Sequence, residues 1–271
     1  MTNPDARLGQ PAPALRLVGV VHLPPLPGSA RGGSAHDLAN VIDVARRDAA
    51  AYAAGGADAL IVENFGDVPF ARDRVDPYVI AAMTLATAAV RAEAGLPAGV
   101  NVLRNDVLGA VSIAAAAGAT FVRANIYVGA TVTDQGIIEG RAHEVQALIR
   151  QLSAPVAVWA DVDVKHAAAL ATRPLGELAE DAVERGLAEA VIVTGRATGQ
   201  PVAEADLVAV KRAVPRTPLY VGSGVTLERL PALLRHASGV IVGTGAKVGG
   251  VVTNPVDPER VRKLVQVARG A

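Results

Sequence analysis

The sequence contains no cysteine, which excludes disulfides, thiolate metal sites and cysteine nucleophiles. Lysine is scarce, with four residues against 22 arginines, and none of the four falls inside an apolar strand-like run. A Schiff-base aldolase with its lysine buried in the sheet is therefore disfavoured. Aromatic residues make up only 3% of the chain, so Ala, Val, Leu and Ile are expected to build the core. Net charge is zero, without the basic stripe of a nucleic-acid binder. No apolar run reaches the ~18 residues needed to span a bilayer. Residues 1–14 are polar and proline-rich, with no signal pattern. They are expected to form a lead-in to one cytoplasmic domain over residues 15–271.

Eight apolar runs with strand character recur, at residues 17–21, 59–62, 100–103, 121–126, 156–162, 190–193, 219–221 and 239–242. Between them lie segments rich in Ala, Leu, Arg and Glu with helical spacing. Continuous apolar runs suit parallel strands covered on both faces. Eight such units in 271 residues predict an α/β fold, a single (β/α)8 TIM barrel, in preference to an open doubly wound sheet. Asp76-Pro77 and Asp257-Pro258 mark helix starts, and Gly95 and Gly186 mark helix ends. The strand-to-helix links at 23–35, 64–75, 127–135 and 165–173 are long, whereas helix-to-strand links are short. Length and polarity thus gather on the C-terminal face of the strands, where barrel active sites sit.

Two glycine turns close the last two strands: Gly222-Ser223-Gly224 and Gly243-Thr244-Gly245. Bare backbone at the ends of adjacent parallel strands can aim several N–H donors at one point, as in the phosphate sites of many barrels. A phosphorylated small molecule is the expected ligand. Glycine is also common wherever a chain leaves a strand sharply. Lys247, just beyond, either reaches that phosphate or is simply solvated.

Polar residues stand at the other strand ends. Asp161, Glu63, Lys165 and His22 are the candidate catalytic groups, with Asp161 or Glu63 as base and Lys165 or His22 as acid or electrophile. Asn101, Arg123, Asn125 and Thr194 are candidate substrate contacts. Each has a structural alternative: Lys165 as a solvated loop cation, His22 as a rim hydrogen-bonder, Glu63 as partner of Arg104 or Arg123. Arg123 and Asn125 share one face of a strand by period two, as do Asp161 and Asp163, whereas Glu63 and Asn64 do not. Asp161 is the expected internal partner of Arg123. Glu63, Asp161 and His22 could hold a divalent metal, but the set is too dispersed to predict one, and no cofactor is expected.

Several segments together resemble the BtpA family: VGVVHLPPLPG (residues 18–28), VENFGDVPF (62–70), GVNVLRND (99–106), FVRAN (121–125), ADVDVKH (160–166), Val193-Thr194-Gly195 with Gly199, and the two glycine turns. The likeness runs from about residue 15 onward. It implies a barrel of the ribulose-phosphate-binding type. The family's founding member is linked to photosystem I accumulation in cyanobacteria. Others are labelled after phosphoribosylanthranilate isomerase or lie near sugar-utilisation genes. Residues and resemblance together predict an isomerase, epimerase or lyase acting on a phosphorylated sugar or nucleoside-like metabolite. The alternatives are a non-catalytic assembly factor and a metabolite sensor. No nucleic-acid or membrane partner is expected, and a homodimer is the default assembly.

Overall fold

Side-chain alternation on short β-branched strands decides how this chain closes on itself. The computed structural model describes residues 15–163, 167–170, 173–195 and 202–271. The strands are β1 (Leu17–His22), β2 (Ala59–Glu63), β3 (Ala98–Asn101), β4 (Phe121–Ala124), β5 (Ala130–Thr133), β6 (Gly136–Glu139), β7 (Ala157–Asp163), β8 (Ala167–Ala169), β9 (Ala190–Val193), β10 (Leu219–Val221) and β11 (Gly239–Val242). Eight of them form a closed barrel in the order β1-β11-β10-β9-β7-β4-β3-β2, with every neighbouring pair parallel. The helices are α1 (Leu38–Gly55), α2 (Pro77–Ala94), α3 (Val107–Ala117), α4 (Ala142–Gln151), α5 (Leu175–Glu180), α6 (Glu204–Ala213), α7 (Leu230–Leu234) and α8 (Pro258–Gly270). The expected (β/α)8 barrel is what the chain adopts.

Helix boundaries follow their capping chemistry. Proline opens α2 and α8, and the Asp257 carboxylate accepts from the Glu259 amide at 2.9 Å. Gly95 ends α2 in the left-handed region. Gly186 also lies at a helix end but is right-handed; Leu187 takes the positive φ instead.

Two features depart from the sequence reading. The segment 127–135 is not a plain loop. It carries β5, which joins β6 and β8 in a separate antiparallel sheet of order β6-β5-β8. Thr131 and Thr133 alternate there with Ala130 and Val132, a four-residue pattern too brief to read as a strand. The second departure is the barrel interior, which is not aliphatic alone. Phe121 stacks on Trp159 with ring centroids 4.1 Å apart, and Trp159 stacks on Tyr220 at 4.3 Å. Three of the chain's few aromatic residues thus cross the barrel axis together, beside Val20, Ile61, Ile192 and Ile241. The larger apolar layer lies between sheet and helices. Among the described residues, no helix is long and apolar enough to cross a membrane.

Candidate active site

Period two carries each inward row from this apolar floor to a polar end. Val20 is followed inward by His22, Ile61 by Glu63, Phe121 by Arg123 and then Asn125, Trp159 by Asp161, Ile192 by Thr194, Tyr220 by Gly222, and Ile241 by Gly243. His22, Glu63 and Asn101 are aligned in register across β1, β2 and β3. The sequence-predicted residues on these strands are therefore gathered at one mouth.

The best-defined contact there is the ion pair of Arg123 and Asp161. Arg123 Nε lies 2.9 Å from Asp161 Oδ2, and Nη2 lies 3.1 Å from Oδ1. Asn125 Nδ2 donates to Asp161 Oδ2 at 2.9 Å, and Asn101 Nδ2 donates to Asn125 Oδ1 at 2.9 Å and to the Arg123 carbonyl at 3.0 Å. Burial pushes the Asp161 carboxyl up, against the pull of Arg123 and Asn125. Burial would lower Arg123, but the Asp161 carboxylate outweighs it and holds the guanidinium charged. Bidentate geometry of this kind is what makes a buried pair tolerable.

His22 is the second centre. Its Nε2 lies 3.7 Å from Glu63 Oε1, and its ring packs on Phe65 at 4.6 Å between centroids. Burial, then the cations Lys247 and Arg123, lower its pKa to about 3. The imidazole is therefore neutral at physiological pH and can donate at one nitrogen while accepting at the other.

The two glycine turns lie beside these groups. A Cβ on Gly243 would fall 2.5 Å from His22 Cε1, and one on Gly222 would fall 2.6 Å from Thr194 Cγ2 and 3.3 Å from Arg123 Nη2. Both glycines are required by the side chains that pack on them. The second turn also lies close to the chain just past the first: a Cβ on Gly245 would lie 3.2 Å from the Val225 carbonyl. Gly224 has φ 66°, open to glycine at no steric cost. Among the described residues, the Gly222 amide donates to the Val193 carbonyl, whereas those of Ser223, Gly224, Gly243, Thr244 and Gly245 have no protein acceptor. Ser223 Oγ accepts from the Gly195 amide at 2.9 Å, tying the end of β9 to this turn. After Gly243 the chain makes a 3-10 turn, Thr244–Ala246, and a second, Val248–Gly250, rather than a full extra helix.

Other assignments change. Lys247 neither reaches the mouth nor is solvated: its ammonium is buried against the Asp48 carboxylate of α1. The other Asp48 oxygen accepts from the Val256 amide at 2.8 Å, closing the segment after the second glycine turn. Asn64 turns away from Glu63, as alternation requires, and its Oδ1 accepts from the Leu103 amide at 2.7 Å. The pairing of β7 with β9 shifts register between Asp161 and Asp163, whose partners are Ile192 and Val193. Lys165, His166, Arg196 and Gly199 lie outside the described residues. Among those described, no three His, Asp or Glu side chains gather as a metal site.

Arg104, expected from the sequence only as an alternative partner of Glu63, also belongs to the site. It is buried, and its guanidinium lies in the fields of Asp134, Asp161 and Glu63, while burial pulls its pKa below the ordinary value. Two surface grooves, of about 620 and 1050 Å³, are lined by none of the candidate site residues. The first runs between α2, α3 and α4, and the second between residues 72–74 and β6.

With the geometry in place, comparison with known proteins decides the lineage. The BtpA family model matches residues 14–270. The chain belongs to the BtpA family. This BtpA-family chain is 46% identical over 250 residues to the photosystem I biogenesis protein BtpA of Synechocystis, covering 92% of this chain and 86% of that protein. Its barrel resembles N-(5'-phosphoribosyl)anthranilate isomerase of Pyrococcus furiosus, with TM-score 0.54 and 14% identity over 95% of this chain and 100% of that one. It also resembles 2-keto-3-deoxy-6-phospho-gluconate aldolase of Zymomonas mobilis, with TM-score 0.53 and 13% identity over 94% and 92%. At such identities the likeness speaks to the fold alone.

Proposed function

We propose that this BtpA-family barrel is an enzyme that moves a proton on a phosphorylated sugar or nucleoside-like metabolite. One observation carries the reading: the glycine turns and the ionisable row form a single surface, with Gly243 against His22 and Gly222 against Arg123. The amides of Ser223, Gly224, Thr244 and Gly245 hold the phosphate, where unpaired donors favour an anion. The rest of the ligand then extends over Thr194 and Arg123 toward Glu63, Asn101 and His22.

In this reading Glu63 is the base. Asp161 has both oxygens committed to Arg123 and Asn125, and it serves to orient them. The Glu63 carboxylate takes a proton from a carbon beside a carbonyl. The C–H electron pair forms an enediolate, and neutral His22 donates a hydrogen bond to the developing oxyanion. Return of that proton to the neighbouring carbon, with the hydroxyl proton passing from one enediolate oxygen to the other through the His22 imidazole, gives isomerisation.

Incubation with D-ribose 5-phosphate and related sugar phosphates in D₂O tests this. A carbon-bound proton should exchange for deuterium in wild type. In Glu63→Gln the exchange should be lost while binding persists. Absence of exchange with every sugar phosphate that binds would remove the catalytic reading. A second reading, an assembly or stability factor, rests on the name of the Synechocystis relative. It gains if no sugar phosphate binds.

A further inference from the structure

The hydrogen-bond chain across β4, β7 and β3 has a fixed polarity. A guanidinium only donates and a carboxylate only accepts. Asp161 therefore fixes Asn125, which must present Nδ2 to Asp161 Oδ2 at 2.9 Å. That leaves Asn125 Oδ1 as an acceptor, so Asn101 must present its own Nδ2 there, at 2.9 Å. The same Nδ2 donates to the Arg123 carbonyl at 3.0 Å. Flipping either amide would set oxygen against oxygen. Asn101 Oδ1 is thus the terminal acceptor of the chain. Asn101 is 1% exposed, and its Oδ1 is buried with no partner among the described residues. A buried acceptor left unmade is costly.

We infer that Asn101 Oδ1 recognises a hydroxyl group of the ligand, so that the substrate is a polyhydroxylated phosphate ester and Asn101 discriminates it from its deoxy analogue. This rests on the phosphate reading above and specifies the other end of the same ligand. Asn101 stands in register with Glu63 and, beyond it, His22, so the hydroxyl it binds lies beside the proposed reacting centre. His22 Nδ1 is also buried without a partner, but its role follows the tautomer, whereas that of Asn101 Oδ1 is imposed by Asp161.

Isothermal titration calorimetry with D-ribose 5-phosphate, its 1-, 2- and 3-deoxy analogues, and inorganic phosphate tests the assignment. In wild type, removal of one particular hydroxyl should weaken binding by about tenfold or more, the scale of an unpaired buried group. In Asn101→Ala that loss should shrink to less than about threefold, with inorganic phosphate bound as in wild type. The wild-type series stands even where the variant fails to fold. Phosphate binding in wild type with all deoxy analogues equal to the parent sugar would overturn the role of Asn101 and leave the phosphate site intact. The same loss persisting in a folded Asn101→Ala would also overturn it. No response to any of the phosphates would instead remove the phosphate reading, and this inference with it.

Discussion

The His22 imidazole rests directly on the backbone of Gly243, so closely that a Cβ there would fall 2.5 Å from Cε1. One end of β1 and one end of β11 are therefore a single packed unit, and the glycine is dictated by the histidine. Gly243→Ala should destabilise the fold by about 1–3 kcal/mol, as overpacking does. The double variant His22→Ala, Gly243→Ala removes the clashing ring. Its cost should fall below the sum of the single variants in a denaturation cycle; additivity would contradict the contact.

Arg123 and Asp161 should behave as one element. Asp161→Asn leaves a buried guanidinium without its counter-charge, at a cost of about 3–5 kcal/mol, whereas replacing both by apolar residues should cost less. Urea denaturation of Asp161→Asn, Arg123→Met and the Arg123→Met, Asp161→Leu double variant checks this.

His22 should make stability depend on pH. Its pKa is lowered in the folded protein from the ordinary 6.5 to about 3, by burial and then by Lys247 and Arg123. Between these values the unfolded chain binds a proton that the folded chain refuses. The stability His22 allows is thus present above pH 6.5 and declines as pH falls toward 3. Wild type should lose stability faster than His22→Gln over that window. In an Asp48→Asn, Lys247→Met variant, which removes both buried charges together, the His22 titration followed by NMR should move upward.

The barrel was legible because its evidence is local and repeated. Continuous β-branched runs need cover on both faces, and eight of them in this length leave few architectures. The strand ends were legible for the same reason, since period two extends the inward rows of Ile61 and Phe121 to Glu63 and Arg123. Long-range partners were not. Nothing near Lys247 in sequence points to Asp48 on α1, yet its buried ammonium pairs with that carboxylate. The Phe121–Trp159–Tyr220 stack spans three strands, and it escapes any reading that counts aromatics rather than placing them. Several residues of the family-like segments, among them Asn64, Asp67 and Asn105, fasten loops through backbone groups of Leu103, Leu26 and Ile126. A sequence motif marks such fasteners and ligand contacts alike.

The central claim is that the paired turns after β10 and β11 hold an anion. A ¹H–¹⁵N titration of the full chain with D-ribose 5-phosphate reads it at the donors themselves. The account predicts saturable shifts at the amides of Ser223, Gly224, Thr244 and Gly245, with the Gly222 amide, already bonded to Val193, moving least. Shifts confined to other parts of the barrel, or none at these four amides at saturating ligand, would contradict it.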